Sequence, residues 1–359
     1  MAGEIRKNLS GKRILITGDT GFKGAWLSLW LHGLGADVVG YALPPEYESA
    51  HFNLLGLDSL IHHVSGDIRD LEAIQAVFSK FEPELVFHLA AQSLVRLSYS
   101  QPKITFDTNV GGSLNILECV RSTPSVRGLI YVTSDKCYKN REWVWGYREN
   151  DELGGHDPYS ASKAAAELLF TSYMDSFLAG RADFGGASVR AGNVIGGGDW
   201  AADRIFPDCI RSLQSNQPIF LRSPFATRPW QHVLEPLSGY LDTAVGLLKD
   251  PKRYSGAWNF GPGDASCRTV RQLADKIVDC WGAGEVQIDK DVMQQELHEA
   301  HLLNLCCDKA HTLLGWYPKW GFDMAVDKAV EWYREMLAGQ PVLDLSRQQI
   351  KEYMGEHHD

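Results

Sequence analysis

Lys12-Arg13-Ile14-Leu15-Ile16-Thr17 is a short apolar run that leads directly into Gly18-Asp19-Thr20-Gly21-Phe22-Lys23-Gly24, and then into an apolar stretch from Ala25 to Leu34. A strand, a glycine loop and a helix in direct succession leave such a chain few folds to choose from. Gly18 permits the tight turn, Gly21 lets backbone approach a pyrophosphate, and Gly24 lets the helix pack close to the strand, so that the N–H groups at the helix start face phosphate. Gly18, Thr20, Gly21, Phe22, Lys23 and Gly24 are therefore predicted to line a dinucleotide site.

The alternation continues down the chain. Asp37 to Leu43, Ile61 to Ser65, Glu84 to His88 and the run from Gly128 read as strands, and helices are predicted over 71–81 and from Ile104 to Arg121. This is the pattern of an α/β fold, a Rossmann-type doubly wound parallel sheet, with ligands at the carboxyl ends of its strands. The second strand should end in an acid that holds the adenosine ribose, yet it ends Tyr41-Ala42-Leu43-Pro44-Pro45-Glu46, so that carboxylate is missing or displaced to Glu46. No arginine stands there for a 2′-phosphate, which favours NAD over NADP; Lys23 is the residue that argues the other way. Asp67 and Ile68 follow the third strand, where Asp67 also reads as a helix cap. After the fourth, the small residues of Leu89-Ala90-Ala91-Gln92 leave room for a flat cofactor.

Beyond the buried run Gly128-Leu129-Ile130-Tyr131-Val132 come Thr133-Ser134-Asp135-Lys136-Cys137-Tyr138. A hydroxyl, a carboxylate and an amine at a strand end suggest proton transfers on a bound substrate, the alternative being a Ser-Asp pair that only caps a turn. Further on, Asp157 is a good N-cap and Pro158 suits the first helical position, which puts Tyr159 and Lys163 at i and i+4 on one helix face. A free tyrosine with a pKa of ~10 is a poor base near neutrality, and a neighbouring ammonium lowers that value.

The Gly-x-x-Gly-x-x-Gly spacing and Tyr-x-x-x-Lys together resemble the extended branch of the short-chain dehydrogenase/reductase superfamily, whose members act on nucleotide sugars. The resemblance covers nearly the whole chain. It implies that Tyr159 takes the proton of a sugar hydroxyl, that Lys163 holds the nicotinamide ribose and tunes the tyrosine, and that Ser134 bonds the same hydroxyl. It also implies that Asp67 and Ile68 meet the adenine, that Leu89, Ala90 and Ala91 lie against the cofactor, and that Asn109 is a structural or cofactor-side residue. A homodimer paired through the helices of Asn109 and Tyr159 is expected, with a dimer of dimers left open.

After Gly185 to Arg190 the composition shifts towards Arg, Pro and Trp. The net charge of -10 argues against binding nucleic acid, so an anionic ligand needs local arginines. Gln92, Asn193, Arg204, Arg222 and Arg228 are the predicted substrate contacts, with Arg211 read as solvated; His301, in Leu297 to His301, is added by resemblance. The expected organisation is a cofactor-binding unit over 1–190, with 232–262 returning to it, and a smaller C-terminal substrate-binding unit from 191–231 and 263–359. Leu234 to Leu248, Val270 to Trp281, Lys309 to Gly315, Met324 to Met336 and Arg347 to Met354 read as helices, and Ala257 to Phe260 as a strand.

Ser134-Asp135-Lys136 decides between reactions. The usual signature of the nucleotide-sugar 4,6-dehydratases is Thr-Asp-Glu, so Asp135 fits as the acid at C6 and Lys136 stands where glutamate is the base at C5. The segments around Ser134, Asn140 to Glu149, Arg190 to Trp200 and Arg228 to Pro236 resemble the family of 4,6-dehydratases that act on CDP-glucose. That resemblance implies C4 oxidation, elimination of water across C5 and C6, and hydride return to C6, in the service of bacterial surface dideoxysugars. A dehydratase for a dTDP- or GDP-linked sugar, a 4-epimerase and a non-catalytic NAD-sensing protein are the alternatives.

Met1 to Lys12 is polar, no apolar run is long enough to cross a bilayer, and seven scattered cysteines read as reduced thiols, so a cytoplasmic protein off the membrane is expected. Neither His298-Glu299-Ala300-His301 nor His357-His358 is read as a metal site.

Overall fold

The computed structural model describes residues 2–263, 266–288 and 302–356. Seven strands, β1 (Arg13–Thr17), β2 (Asp37–Ala42), β3 (His62–Ser65), β4 (Leu85–His88), β5 (Gly128–Val132), β6 (Gly185–Ala191) and β7 (Gly256–Phe260), form one sheet in the order β7-β6-β5-β4-β1-β2-β3. Every neighbouring pair is parallel. Parallel strands need crossovers, which helices such as Phe22–Gly33, Leu71–Phe81 and Pro158–Tyr173 supply. With helices on both faces, β4, β5 and β6 are buried at every position, which is why β4 and β5 read as nearly continuous apolar runs rather than alternating ones. The strand order reverses between β1 and β4, and a crevice opens at the carboxyl ends there.

A separate apolar core lies on each face. One gathers Ile74, Phe78, Ile116, Val120 and Phe170; the larger gathers Trp26, Trp30, Trp258, Trp332 and the C-terminal helices. Those helices, Phe322–Leu337 and Val342–Met354, were expected on the substrate side, yet Val342–Met354 packs under the glycine-loop helix. Trp30 Nε1 reaches Met354 Sδ at 3.2 Å, Trp26 Nε1 donates to the Gly197 carbonyl at 2.9 Å, and a Cβ on Gly197 would lie 2.0 Å from the Trp332 ring. Trp30 of the glycine-loop helix meets Tyr353 and Met354 there, so side chains more than three hundred positions apart share one core.

Other differences are local. The glycine-loop helix starts at Phe22 rather than Ala25 because its first turn lies flat on the loop: a Cβ on Gly24 would meet the Gly18 carbonyl oxygen at 2.0 Å. Ala2–Leu9 is helical and buries Ile5 and Leu9. The helix predicted from Ile104 is two α-helical pieces, Pro102–Phe106 and Ser113–Ser122, joined by a wider turn over Asp107–Gly112, and an unforeseen helix, Val95–Ser100, precedes them. Ala310–Leu314 forms one wide turn that stops at Gly315, where φ is +65°. Among the described residues no helix is long and apolar enough to cross a membrane.

Candidate active site

Thr17, the last residue of β1, hands the chain to Gly18, whose φ of +80° and close approach to Ala90 (a Cβ would lie 2.8 Å from its nitrogen) suit only glycine. Gly21 caps the following helix without any side-chain bond, so the first N–H groups of Phe22–Gly33 are left for an anion. Thr20 Oγ1 donates to the Leu43 carbonyl at 2.9 Å and ties the loop to the end of β2. A glycine cradle with uncapped helical N–H groups fits a pyrophosphate.

At the end of β3 the structure removes one reading of Asp67, that of a helix cap. The cap of helix Leu71–Phe81 is Asp70, whose carboxylate accepts from Ala73 N at 3.0 Å. Asp67 instead holds Arg69 through contacts of 2.5–3.1 Å, and that guanidinium keeps its carboxyl low. Arg69 and Glu46 both line the cleft beside Asp67 and Ile68. This arginine comes from beyond β3 and not from the end of β2.

The chemistry-bearing groups come from two elements. Past β5, Thr133 N still donates to the Val189 carbonyl at 3.0 Å, after which Asp135–Cys137 turn sharply with Ser134 as cap. Ser134 Oγ donates to Asp135 Oδ1 at 2.9 Å and accepts from Lys136 N at 3.2 Å. The facing helix, Pro158–Tyr173, starts as its sequence predicts: Asp157 accepts from Ser160 N at 2.9 Å and Ser160 Oγ at 2.6 Å, with Pro158 in the first turn. Tyr159 and Lys163 are 8% and 6% exposed, and both line the cleft with Ser134, Asp135 and Lys136.

Burial governs the protons there. It raises the Asp135 carboxyl above its ordinary range against the opposing pull of Lys136, the Ser134 hydrogen bond, Lys23 and Arg228. It lowers Lys163 to about 8, with Glu167 opposing. Tyr159 is pushed up to about 12, again by burial first, with hydrogen bonding to Ser134 acting the other way. The net displacement is upward, opposite to the lowering expected from a neighbouring ammonium, and burial is its largest cause. Lys23 is lowered to about 8 by burial and by Arg204 and Lys163, while Asp135 raises it. Its charge is thus felt by Asp135, Arg204 and Lys163.

The far wall carries arginines that already hold carboxylates. Arg204 Nη1 lies 3.0 Å from Asp199 and Nη2 3.1 Å from Ser93 Oγ. Arg222 donates twice to Asp203, at 3.0 and 3.1 Å, and Arg96 reaches the same oxygen at 3.4 Å. Arg228 Nη1 donates to the Thr227 carbonyl at 2.8 Å. Arg211 is not simply solvated, since it donates to the Trp200 and Ala201 carbonyls at 3.0 and 3.3 Å.

Gln92 and Asn193 also line the cleft, but the Gln92 amide is engaged by Leu94 and Thr105 and shapes the loop. Asn109 bonds Gln92 and Ser162, which makes it a clamp between the β4 loop and the Tyr159 helix. Ser93, Arg96, Asp199 and Asp203 were not foreseen; the signal was there in Arg96 to Tyr99 at helical spacing and in acids interleaved with the arginines.

Gly18, Thr20, Gly21, Phe22, Lys23, Gly24, Asp67, Ile68, Leu89, Ala90, Ala91, Arg204, Arg222 and Arg228 share this one cleft of about 1240 Å³ with Ser134, Asp135, Lys136, Tyr159 and Lys163. That is larger than a pocket for one drug-sized ligand. His301, with the rest of Leu297 to His301 and the His357-His358 pair, lies outside the described residues.

Residues 15–182 match the family model for GDP-mannose 4,6 dehydratase. A CDP-glucose 4,6-dehydratase from Salmonella typhimurium (strain LT2) is 48% identical over 356 residues, covering 98% of each chain. A solved UDP-glucose 4-epimerase from Thermus thermophilus in complex with NAD is 26% identical, covers 90% of this chain and 99% of its own, and superposes with a TM-score of 0.73. A dTDP-glucose 4,6-dehydratase from Streptomyces venezuelae, with NAD and TYD bound, shares the fold at 23% identity and a TM-score of 0.75, covering 92% of this chain and 99% of its own.

Proposed function

The chain belongs to the CDP-glucose 4,6-dehydratase family, and from that premise we propose that Ser134, Asp135, Lys136, Tyr159 and Lys163 carry its chemistry. It is an NAD-dependent nucleotide-sugar 4,6-dehydratase, a hydro-lyase that converts CDP-D-glucose into CDP-4-keto-6-deoxy-D-glucose and water. The observation that supports the residue assignment most is the opening of a strand-end Ser-Asp-Lys and a helical Tyr-Lys pair into one cleft.

The cradle from Gly18 to Gly24 would hold the cofactor pyrophosphate, with Asp67 and Ile68 at the adenine end and Leu89, Ala90 and Ala91 along the flat of the site. Bound NAD supplies a hydride acceptor for C4 and, once reduced, the donor for C6, and its oxidised ring brings a positive charge that favours a phenolate. Tyr159 takes the proton of the 4-hydroxyl, which Ser134 orients. A ketone at C4 then acidifies the C5 proton; Lys136 removes it while Asp135, kept protonated by burial, gives a proton to the departing C6 hydroxyl, and Lys136 returns its proton to C5 as C6 receives the hydride. Arg204, Arg222 and Arg228 hold the diphosphate, matching planar guanidinium to pairs of oxygens.

A panel of nucleotide glucoses carrying deuterium at C4 tests the reading. CDP-glucose is expected to give a 6-deoxy product with the label at C6. Label returned to C4, as in an epimerase, or turnover with only another nucleotide would overturn it.

The reading extends to a cytoplasmic homodimer that feeds dideoxysugar synthesis for surface polysaccharide. All seven cysteines are unpaired thiols, which suits a reducing compartment. Apolar side chains left open on the helices around Asn109 and Tyr159, including Leu168 at 62% and Phe177 at 53% exposure, support the pairing. Sedimentation equilibrium at micromolar concentration should give twice the chain mass, and a monomer would remove the dimer.

A further inference from the structure

One carboxylate of the cleft is shared by two arginines from distant parts of the chain. Asp203 Oδ1 accepts from Arg222 Nη1 at 3.0 Å and Nη2 at 3.1 Å, and from Arg96 Nη1 at 3.4 Å. Arg222 follows the short strand Ile219–Leu221, whereas Arg96 belongs to the helix Val95–Ser100 that comes after β4. All three residues line the cleft, and Arg222 also has Asp208 at 4.0 Å. The reaction as described gives Arg96 and Asp203 no part.

Three features set Asp203 apart. Its side chain is 43% exposed, and ion pairs so open to solvent add little stability and break cheaply. Its φ of +62° lies in the left-handed region that residues other than glycine seldom adopt, Asp and Asn being the side chains that tolerate it best. The helix Ile205–Gln214 opens two residues later with no side chain capping its first N–H groups, so the backbone there favours an anion. Here one carboxylate oxygen serves both guanidinium groups, where a diphosphate offers each a pair of oxygens. We propose that Asp203 is a placeholder for the substrate's diphosphate and that Arg96 is a further ligand of it: when a nucleoside diphosphate enters, Arg222 and Arg96 exchange the carboxylate for phosphate oxygens. The inference rests on the role given to Arg222 above and adds a contact from the cofactor-binding part of the chain.

Arg96 stands on a fixed base. Ser98, two residues on, donates to the Val95 carbonyl at 2.6 Å and accepts from Tyr159 N at 3.2 Å. The exchange therefore asks only side chains to turn, and the ligand is gripped by the same short helix that holds the backbone of Tyr159. A carboxylate that merely braced the arginines would, on removal, leave them loose and weaken the ligand. A competing anion does the reverse, so the sign of the change separates the two roles.

Isothermal titration of the full-length protein with CDP, with NAD at saturation so that the cofactor cradle is filled, reads that sign without turnover. Cytidine, measured by displacement of CDP, is the uncharged control. Asp203→Asn removes the charge while tolerating the positive φ, and should bind CDP about fivefold more tightly than the parent. Arg96→Met should bind it about tenfold more weakly. Cytidine should stay within about twofold in both variants. Weaker or unchanged CDP binding in D203N, CDP binding in R96M within twofold of the parent, or a cytidine shift as large as that of CDP overturns the proposal. If D203N fails to fold, Asp203→Gly, which suits the same φ, carries the same expectation, and failure of both to fold makes Asp203 a structural residue and overturns it. Should the deuterium panel select another nucleotide, the CDP-glucose reading falls and the titration is run with that nucleotide's diphosphate and nucleoside, where the same shifts uphold the placeholder and their absence overturns it. A parent protein that binds none of these diphosphates also overturns it.

Discussion

Tyr159→Phe is expected to lower kcat on the order of 10³-fold while the affinity for CDP-glucose stays within about twofold. The reason is that phenylalanine fills the same space. Tyr159 lies in the first turn of a helix fixed by Asp157 and Pro158, and its backbone N–H is held by Ser98 Oγ at 3.2 Å, so the substitution removes a hydroxyl and little else. Loss of one hydroxyl should cost about 1 kcal/mol of stability at most, too little to unfold the chain. Since burial pushes the phenol up to about 12, C4 oxidation by the parent should quicken as pH rises and the phenolate becomes accessible. The variant should lose that dependence. Stopped-flow absorbance of the reduced nicotinamide reads both effects, and a variant within tenfold of the parent would take the tyrosine out of the mechanism.

Asp135→Asn and Lys136→Ala should divide the reaction at a different point. Both variants keep Tyr159 and Lys163, so C4 oxidation should proceed and the reduced-nicotinamide signal should persist rather than decay. Elimination of water should slow about 10²- to 10⁴-fold, the usual worth of a positioned acid or base. The pH dependence has the opposite sign to that of the tyrosine. Asp135 acts as an acid, its carboxyl is raised by burial, and the proton-donating form is lost as pH climbs through that raised value, so elimination in the parent slows on the alkaline side. An amide in place of the Asp135 carboxyl cannot follow that limb. Complete loss of the reduced-nicotinamide signal in either variant would show that the two residues serve oxidation and would sink their assignment to elimination.

Much of this was legible because the information is local. Gly18 to Gly24, the strand of Gly128 to Val132, the cap at Asp157 and the i, i+4 pair of Tyr159 and Lys163 each depend on neighbours within a few residues. Where a choice depended on distance, the sequence left it open. Asp67 and Asp70 both precede the same helix, and only the geometry shows that Asp70 reaches Ala73 while Asp67 holds Arg69. The upward displacement of the Tyr159 phenol follows from how deeply it is buried, which no spacing reveals. Arg190 and Glu167 stand 23 residues apart and look like ordinary surface ions until β6 and the Tyr159 helix bring them together. Trp26, Trp30 and Trp332 drew the C-terminal helices under the glycine-loop helix, a tertiary preference that composition hides.

Arg190 of β6 grips Glu167 of the Tyr159 helix and reaches through Tyr138 OH to Asn259, which with the Cys306 carbonyl comes from late in the polypeptide, and β7 extends the sheet beside β6. A ribosome delivers the residues up to Lys163 long before these arrive, and domains begin to fold from the N-terminal side as they emerge. The growing chain thus carries its reactive groups early and the braces behind them late. Competence is acquired near the end of translation, and an interrupted chain would be left with an unsupported centre.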